Sequence, residues 1–212
     1  MSDLFANIEA QRIALADLLT GLQDQEWETA SLCEGWTVHD VVAHLTMPFN
    51  LGVPGLVKGL ARARGNFARF ADRYARAQAH VPSQDLVALL RREASNRFTP
   101  PGFGPQAPLT DVVVHGYDVA VPTHRDLEVP EETSTLVLDF LVTKKPEGSF
   151  TRRGLVNGLR FEAADGAWAY GAGPLVRGPM RSLLLGLTGR ESQLTALEGD
   201  GVQVLRDRLA TG

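Results

Sequence analysis

The stretch LCEGWTVHDVVAHL, residues 32–45, joins a short glycine-containing segment to the start of a helix. Thr37 and Asp40 have the spacing of a capping box, with Asp in place of the usual Glu, in which each side chain bonds the other residue's backbone N–H. The five residues that follow Asp40 are apolar except for His44. A polar side chain that faces the interior of a helical bundle needs a partner there. His44 is therefore the first candidate functional residue.

A second pair of candidate residues lies on a later predicted helix. Asp111 and His115 are four residues apart, so both side chains leave the same helix face one turn apart. This spacing allows one helix to offer two ligands to one metal ion. With His44 from another helix, the set is two imidazoles and one carboxylate, which leaves open coordination positions of the kind found in catalytic sites. Asp40 and Asp118 lie near the two histidines in sequence and are candidates to orient their rings.

Each of these residues can also be explained by a purely structural role. The sequence spacing by itself favours that explanation over a metal site. An isolated histidine such as His44 is more often a hydrogen-bonded core residue than a ligand, and many helices contain an Asp and a His at this spacing by chance. Asp111 follows the possible cap Thr110, where the helix dipole stabilises a negative charge. Asp40 is better explained as the capping-box acid, and Asp118 is equally explained as a surface charge. The residues alone therefore leave the metal site open.

Composition narrows the classes of protein. The chain has 212 residues, a formal charge of −4 and 44% hydrophobic residues, which are values of a globular protein without a basic face for nucleic acid. Its single cysteine, Cys33, excludes a disulfide framework within the chain and a Cys-based zinc site, and it fits a reducing compartment. We expect Cys33 to be a packing residue. The absence of a basic leader and of a long apolar run predicts a cytoplasmic protein that binds no membrane.

The periodicity changes along the chain, which predicts an α+β fold in two domains. Helical patterns dominate residues 1–146, and a strand, a hairpin turn at Asp165-Gly166, a return strand and a further helix are predicted in residues 147–212. We therefore predict a helical domain over 1–146 and a small α+β domain over 147–212. The helices are predicted at residues 2–22, 37–45, 52–78, 83–98, 109–121 and 131–144, with a perturbation at Pro48.

The motif of residues 32–45 resembles the signature C-x-G-W-T-V-x-D-V-V-A-H-L of the mycothiol-dependent maleylpyruvate isomerase family, which belongs to the DinB/YfiT-like metal-binding superfamily. Residues 111–118 resemble the family's second motif, E-x-x-x-H-x-x-D. The C-terminal part is similar to the family's small second domain, because Gly166-Ala167-Trp168, Gly173-Pro174, residues 183–190 and Gly199-Asp200-Gly201 follow in the expected order. The resemblance covers nearly the whole chain.

The resemblance implies an N-terminal DinB-like four-helix bundle with a divalent metal bound by His44, Asp111 and His115. Zn²⁺ is the first expectation, and Ni²⁺, Fe²⁺ or Mn²⁺ also suit this ligand set. The implied co-substrate is mycothiol or a similar thiol, whose thiolate attacks a small electrophile in an isomerisation or a transfer. Arginines could clamp substrate carboxylates, although a solvated helix face explains any single one better. They are the arginines within residues 62–76, namely Arg62, Arg64, Arg69, Arg73 and Arg76, together with Arg91, Arg92 and Arg97.

One departure from the family pattern leaves alternatives open. The second motif begins with Asp111 instead of glutamate, so its carboxylate is shorter by one methylene, about 1.5 Å. A non-catalytic metal- or ligand-binding DinB-like module is therefore the alternative function, and a purely structural metal is a third. Trp27 and Trp36 are interpreted as core residues. We expect a monomer or a homodimer, because the apolar residues between 51 and 60 suit either a core stripe or a dimer face.

Overall fold

The computed structural model describes residues 3–211, which are mostly helical with one three-stranded sheet. None of the helices in this range combines the length and apolarity needed to cross a membrane. The helices are α1 (Leu4–Thr20), α2 (Asp24–Trp27), α3 (Val38–Arg62), α4 (Phe67–Ala77), α5 (Ser83–Arg92), α6 (Gln106–Ala120), α7 (Glu131–Leu141), α8 (Met180–Leu187) and α9 (Gly201–Ala210). The strands are β1 (Arg160–Ala163), β2 (Ala169–Gly171) and β3 (Leu175–Gly178), and a 3₁₀ helix covers Glu191–Ala196.

The chain up to Glu128 forms a helical unit, in which α1 packs against α5 and α6, and α3 packs against α4, α5 and α6. Asp3 caps the N-terminus of helix α1, and its side chain accepts a hydrogen bond from the Phe5 N–H. Its apolar face, including Ile8, Leu15 and Leu19, is buried. Burial of such a stripe supplies most of the stability of a helix of this length.

Helix α3 begins at the predicted capping box and bends later than its sequence suggests. The Thr37 hydroxyl accepts from the Asp40 N–H, and the Asp40 carboxylate accepts from the Thr37 N–H. The predicted perturbation at Pro48 is not where the axis breaks. The break lies at Gly52, which has φ +58° and ψ −174°, a conformation that a residue with a Cβ rarely adopts. The helix predicted over residues 52–78 is in turn divided into the end of α3 and α4.

The second half of α3 and the start of α4 approach each other closely at Gly59. A Cβ at this position would overlap the ring of Phe70 on α4. Phe70 is buried in a small core with Met47, Leu56 and Ala63. The missing side chain of Gly59 therefore fixes where α4 lies against α3.

The unit that begins at Val129 contains the sheet. Its strand order is β2-β1-β3, with β1 antiparallel to β2 and parallel to β3. Phe161 of β1 lies opposite Tyr170 of β2 and Val176 of β3, and both Phe161 and Val176 are fully buried. The predicted turn at Asp165-Gly166 lies between β1 and β2, and the Asp165 carboxylate accepts from the Met180 N–H at the start of α8. The predicted strand over residues 155–163 is shorter in the structure and begins at Arg160.

The division between the two units falls after Glu128, whereas the sequence placed it at residue 146. The difference comes from α7, which looks like one more helix of the bundle in sequence. In the structure α7 packs against α8 and buries Val137 and Leu138. Its amphipathic pattern indicated that one face is buried but not which element covers that face.

Candidate metal centre

Helices α3 and α6 bring the three predicted ligands together. His44 leaves the buried middle of α3, and Asp111 and His115 lie one turn apart on α6. Each of the three residues offers a ligand atom, and these atoms all lie within 4.8 Å of one another. His44 is almost fully buried, whereas the side chain of Asp111 is 29% exposed, so the group is reached from the Asp111 side.

The spacing of the donor atoms fits a single cation. His44 Nε2 lies 3.5 Å from Asp111 Oδ1, and His115 Nε2 lies 3.6 Å from the same oxygen. Zinc bonds of about 2.0–2.1 Å place two ligands of a tetrahedron about 3.3–3.4 Å apart. The shorter carboxylate of Asp111 therefore already reaches the position that a ligand needs, without a shift of α6.

Asp118 orients one of the two imidazoles. Its carboxylate, which is fully buried, lies 2.8 Å from His115 Nδ1. A hydrogen bond from Nδ1–H to this carboxylate leaves the lone pair of Nε2 directed away from Asp118, as ligation requires. Within residues 3–211, His44 Nδ1 is buried and has no hydrogen-bond partner.

Asp40 does not play the same part for His44. Its carboxylate accepts from the N–H and the hydroxyl of Thr37, at 3.0 and 3.1 Å. No hydrogen bond joins Asp40 to His44 in the described part of the chain. The capping interpretation of Asp40 is therefore the one the geometry supports, because the carboxylate is engaged at the first turn of α3.

The charges around Asp111 keep it ionised. Burial by itself raises the pKa of the Asp111 carboxyl, but the charge of His44, its hydrogen bond, and the charges of His115 and Arg12 outweigh that effect. The pKa of Asp111 consequently lies below its ordinary value. The donor group is therefore the anionic carboxylate that a divalent cation prefers.

Comparison with known proteins agrees with the resemblance found in the sequence. Residues 8–99 match the model of the mycothiol maleylpyruvate isomerase N-terminal domain. The resemblance to this family that the sequence indicated is thereby confirmed. The matched segment contains His44 and ends before Asp111 and His115, so the case for those two candidate ligands rests on the geometry and the sequence motif.

Two solved structures share the fold. One is the crystal structure of the mycothiol-dependent maleylpyruvate isomerase, with 16% identity and a TM-score of 0.56, and the other is a histidine-to-alanine mutant of it, with 15% identity and a TM-score of 0.59. Each alignment covers 93% of this chain and 91% of the other. No curated protein matches the chain. At this identity the likeness establishes an α+β fold with a helical N-terminal part.

The motif of residues 32–45 also positions Trp36, which was predicted to be a core residue. A tight turn runs from Cys33 to Trp36, with Gly35 at φ +77°, the value its third position requires. The Trp36 ring is only half-buried and lies 5.3 Å from the His44 ring and 6.3 Å from the His115 ring, between centroids. Trp36 is therefore part of the site. The prediction was correct for Trp27, which is 5% exposed.

Arg12 is a residue of this neighbourhood that the sequence analysis did not single out. It is buried on α1, and its Nη1 donates to the carbonyls of Glu93, Ala94 and Asn96 at 3.4, 3.0 and 2.8 Å. Burial lowers the pKa of Arg12, while the negative charge of Asp111 acts in the opposite direction. The sequence did contain a signal for Arg12. It is a charged residue one turn after Ile8, on the apolar face of α1.

Four of the eight arginines considered as carboxylate clamps are engaged elsewhere. Arg76 pairs with Asp72, Arg91 with Asp17 and Arg92 with Glu93. The guanidinium of Arg97 lies over the ring of Phe5. These contacts support the interpretation of these four arginines as part of a solvated helix surface.

Proposed function

We propose that the protein is a divalent-metal-dependent enzyme that activates a low-molecular-weight thiol for isomerisation of, or transfer to, a small electrophile. The observation that carries the proposal is the group of His44, Asp111 and His115, whose donor atoms are spaced for one cation. Within residues 3–211 no further His, Cys, Asp or Glu completes this group. Three protein ligands with open positions are typical of a catalytic centre.

The match of residues 8–99 supports the choice of thiol, which we propose to be mycothiol or a close relative. A divalent cation in this group, with zinc the first expectation, would lower the pKa of a coordinated thiol and so supply a nucleophilic thiolate. The residues of this chain prepare the position for it. Asp118 fixes the tautomer of His115, and Asp111 supplies one negative charge. Trp36 covers one side of both imidazoles.

Metal content and thiol-dependent turnover test the proposal together. The purified protein is loaded with zinc, its metal is quantified by elemental analysis, and turnover of maleylpyruvate and of simple alkylating agents is followed with and without mycothiol. We expect one metal per chain and a rate that depends on both metal and thiol. His44→Ala should lose both properties.

His39→Ala is the matched control, because His39 lies on the same helix but bonds the Val81 carbonyl at 2.9 Å instead of the site. The control should retain metal and rate. A protein that binds zinc but accelerates no thiol reaction would contradict the enzymatic proposal and favour a non-catalytic metal-binding module.

A further inference from the structure

Phe67 is an exposed aromatic residue beside a buried ligand. It is the first residue of α4, and 48% of its surface is exposed. Its ring nevertheless meets the His44 ring edge-on, with centroids 6.3 Å apart and the planes at 77°. A scattered exposed apolar residue needs no explanation, but one in contact with a ligand of a reactive centre shapes the surface that a substrate meets.

Trp36 contacts the same imidazole, with ring centroids 5.3 Å apart, and is held by a hydrogen bond. Its Nε1–H donates to Asp72 at 3.1 Å, and Asp72 also accepts from Arg76 at 2.8 Å. Arg76 then donates to the Gly35 carbonyl at 3.1 Å, beside the tryptophan in sequence. The polar edge of the indole is thus satisfied, and the exposed part of this half-buried ring is apolar surface.

Phe67 is fixed through its neighbour in the core. The rings of Phe67 and Phe70 pack edge to face with centroids 6.3 Å apart. Phe70 in turn occupies the space left by Gly59 on α3. Both aromatic rings beside His44 are therefore placed before any ligand binds, which lowers the entropy that a ligand loses on binding.

The chemistry of this surface indicates the kind of electrophile. We propose that Trp36 and Phe67 form an aromatic wall that binds a flat, unsaturated and mainly apolar electrophile beside the thiol. The inference rests on the proposed function and adds to it the class of the second substrate. Aromatic faces favour planar partners through offset or edge-to-face contacts. Arg76, the arginine nearest to this wall in the network above, is already paired with Asp72, so no carboxylate clamp is built from it.

The test compares two electrophiles of different shape on the zinc-loaded protein with mycothiol. The flat probe is 1-chloro-2,4-dinitrobenzene and the small polar probe is iodoacetamide. In both reactions the sulfur–carbon bond forms, the carbon–halogen bond breaks, the halide leaves with its electron pair, and the thiol proton goes to solvent. Phe67→Ala should lower kcat/KM for the flat probe about five- to tenfold, chiefly through KM, because an aromatic contact is worth about that factor.

The same substitution should leave the iodoacetamide rate and the zinc affinity within about twofold, since neither depends on an aromatic contact. Phe67→Tyr keeps the ring and should restore the preference. Ile13→Ala is the control for loss of an exposed apolar side chain, because Ile13 is 37% exposed on α1. It should change neither rate. Equal losses for the two electrophiles, or no loss for the flat one, would refute the aromatic wall.

A separate binding measurement distinguishes failure of the wall from failure of the proposed function. Absence of zinc, or of any thiol-dependent rate with iodoacetamide, contradicts the proposed function. Saturation-transfer NMR with unreactive nitrobenzene then still tests the wall. Binding that is lost in Phe67→Ala and kept in Phe67→Tyr supports it, and binding that is equal in both variants overturns it.

Discussion

Replacing Asp111 by glutamate gives the second motif its usual carboxylate, and the structure predicts that this change weakens metal binding. The Asp111 oxygen already lies 3.5 and 3.6 Å from the two imidazole nitrogens. These separations exceed the edge of a zinc tetrahedron by only about 0.2 Å. The extra methylene of glutamate adds about 1.5 Å, far more than the gap to be closed.

The expected magnitude follows from how the longer side chain must adapt. Helices α3 and α6 pack against each other, and their residues around the site, such as Val42 and Val113, are fully buried. The backbone of α6 therefore cannot move away from α3 to make room for the longer side chain. The glutamate must instead adopt a strained rotamer. Such a rotamer costs about 0.5–1.5 kcal/mol, to which the additional side-chain entropy is added. We expect D111E to bind zinc about tenfold more weakly than the natural chain.

The assay is competition for zinc against a chromophoric chelator at neutral pH, with circular dichroism to verify folding. D111N is the matched variant, because it keeps the shape of Asp111 and removes its charge. The expected order of affinity is natural chain, then D111E, then D111N, with D111N weaker than the natural chain by at least about 100-fold. Tighter zinc binding by D111E would show that Asp111 does not stand at ligand distance, and the reasoning would fail.

Three further outcomes follow from the same geometry. His115→Ala should reduce zinc affinity by at least about 100-fold in the chelator assay, while His39→Ala, outside the group, should leave it unchanged. Asp118→Asn removes the charge that orients His115 and should reduce affinity about 10- to 100-fold, with a folded far-UV spectrum. Gly59→Ala forces a methyl group into Phe70 and should lower the free energy of unfolding in urea by about 1–3 kcal/mol, and an unchanged midpoint would contradict the close approach of α3 and α4.

The parts of the site that the sequence predicted correctly follow from local sequence patterns. The pairing of Asp111 with His115 follows from helical periodicity, and the contact of His115 with Asp118 follows from the same period. The capping box of Thr37 and Asp40 was also visible, because all its atoms belong to four consecutive residues. No local rule relates His44 to Asp111, which lie 67 positions apart, so His44 was only a candidate third ligand until the family resemblance supported it.

The residues that the sequence did not assign to the site lie on other elements. Trp36, Phe67 and Arg12 belong to a loop and to the helices α4 and α1. The position of Phe67, for example, depends on the close approach of α4 to α3 at Gly59. Apolar residues are expected inside, so neither aromatic side chain stood out as functional. Only the structure shows that their rings meet the ring of His44.

The charge distribution bears on the proposed function, in which one site serves two chemically different substrates. A divalent cation with two neutral imidazoles and the carboxylate of Asp111 leaves one net positive charge, and the buried cation of Arg12 acts on the same carboxylate. That end of the site favours an anionic thiolate, which neutralises the excess. The rings of Trp36 and Phe67 carry no charge and gain nothing from a second anion. Under the two proposals, charge selects the thiol at the metal and apolar surface selects the electrophile beside it.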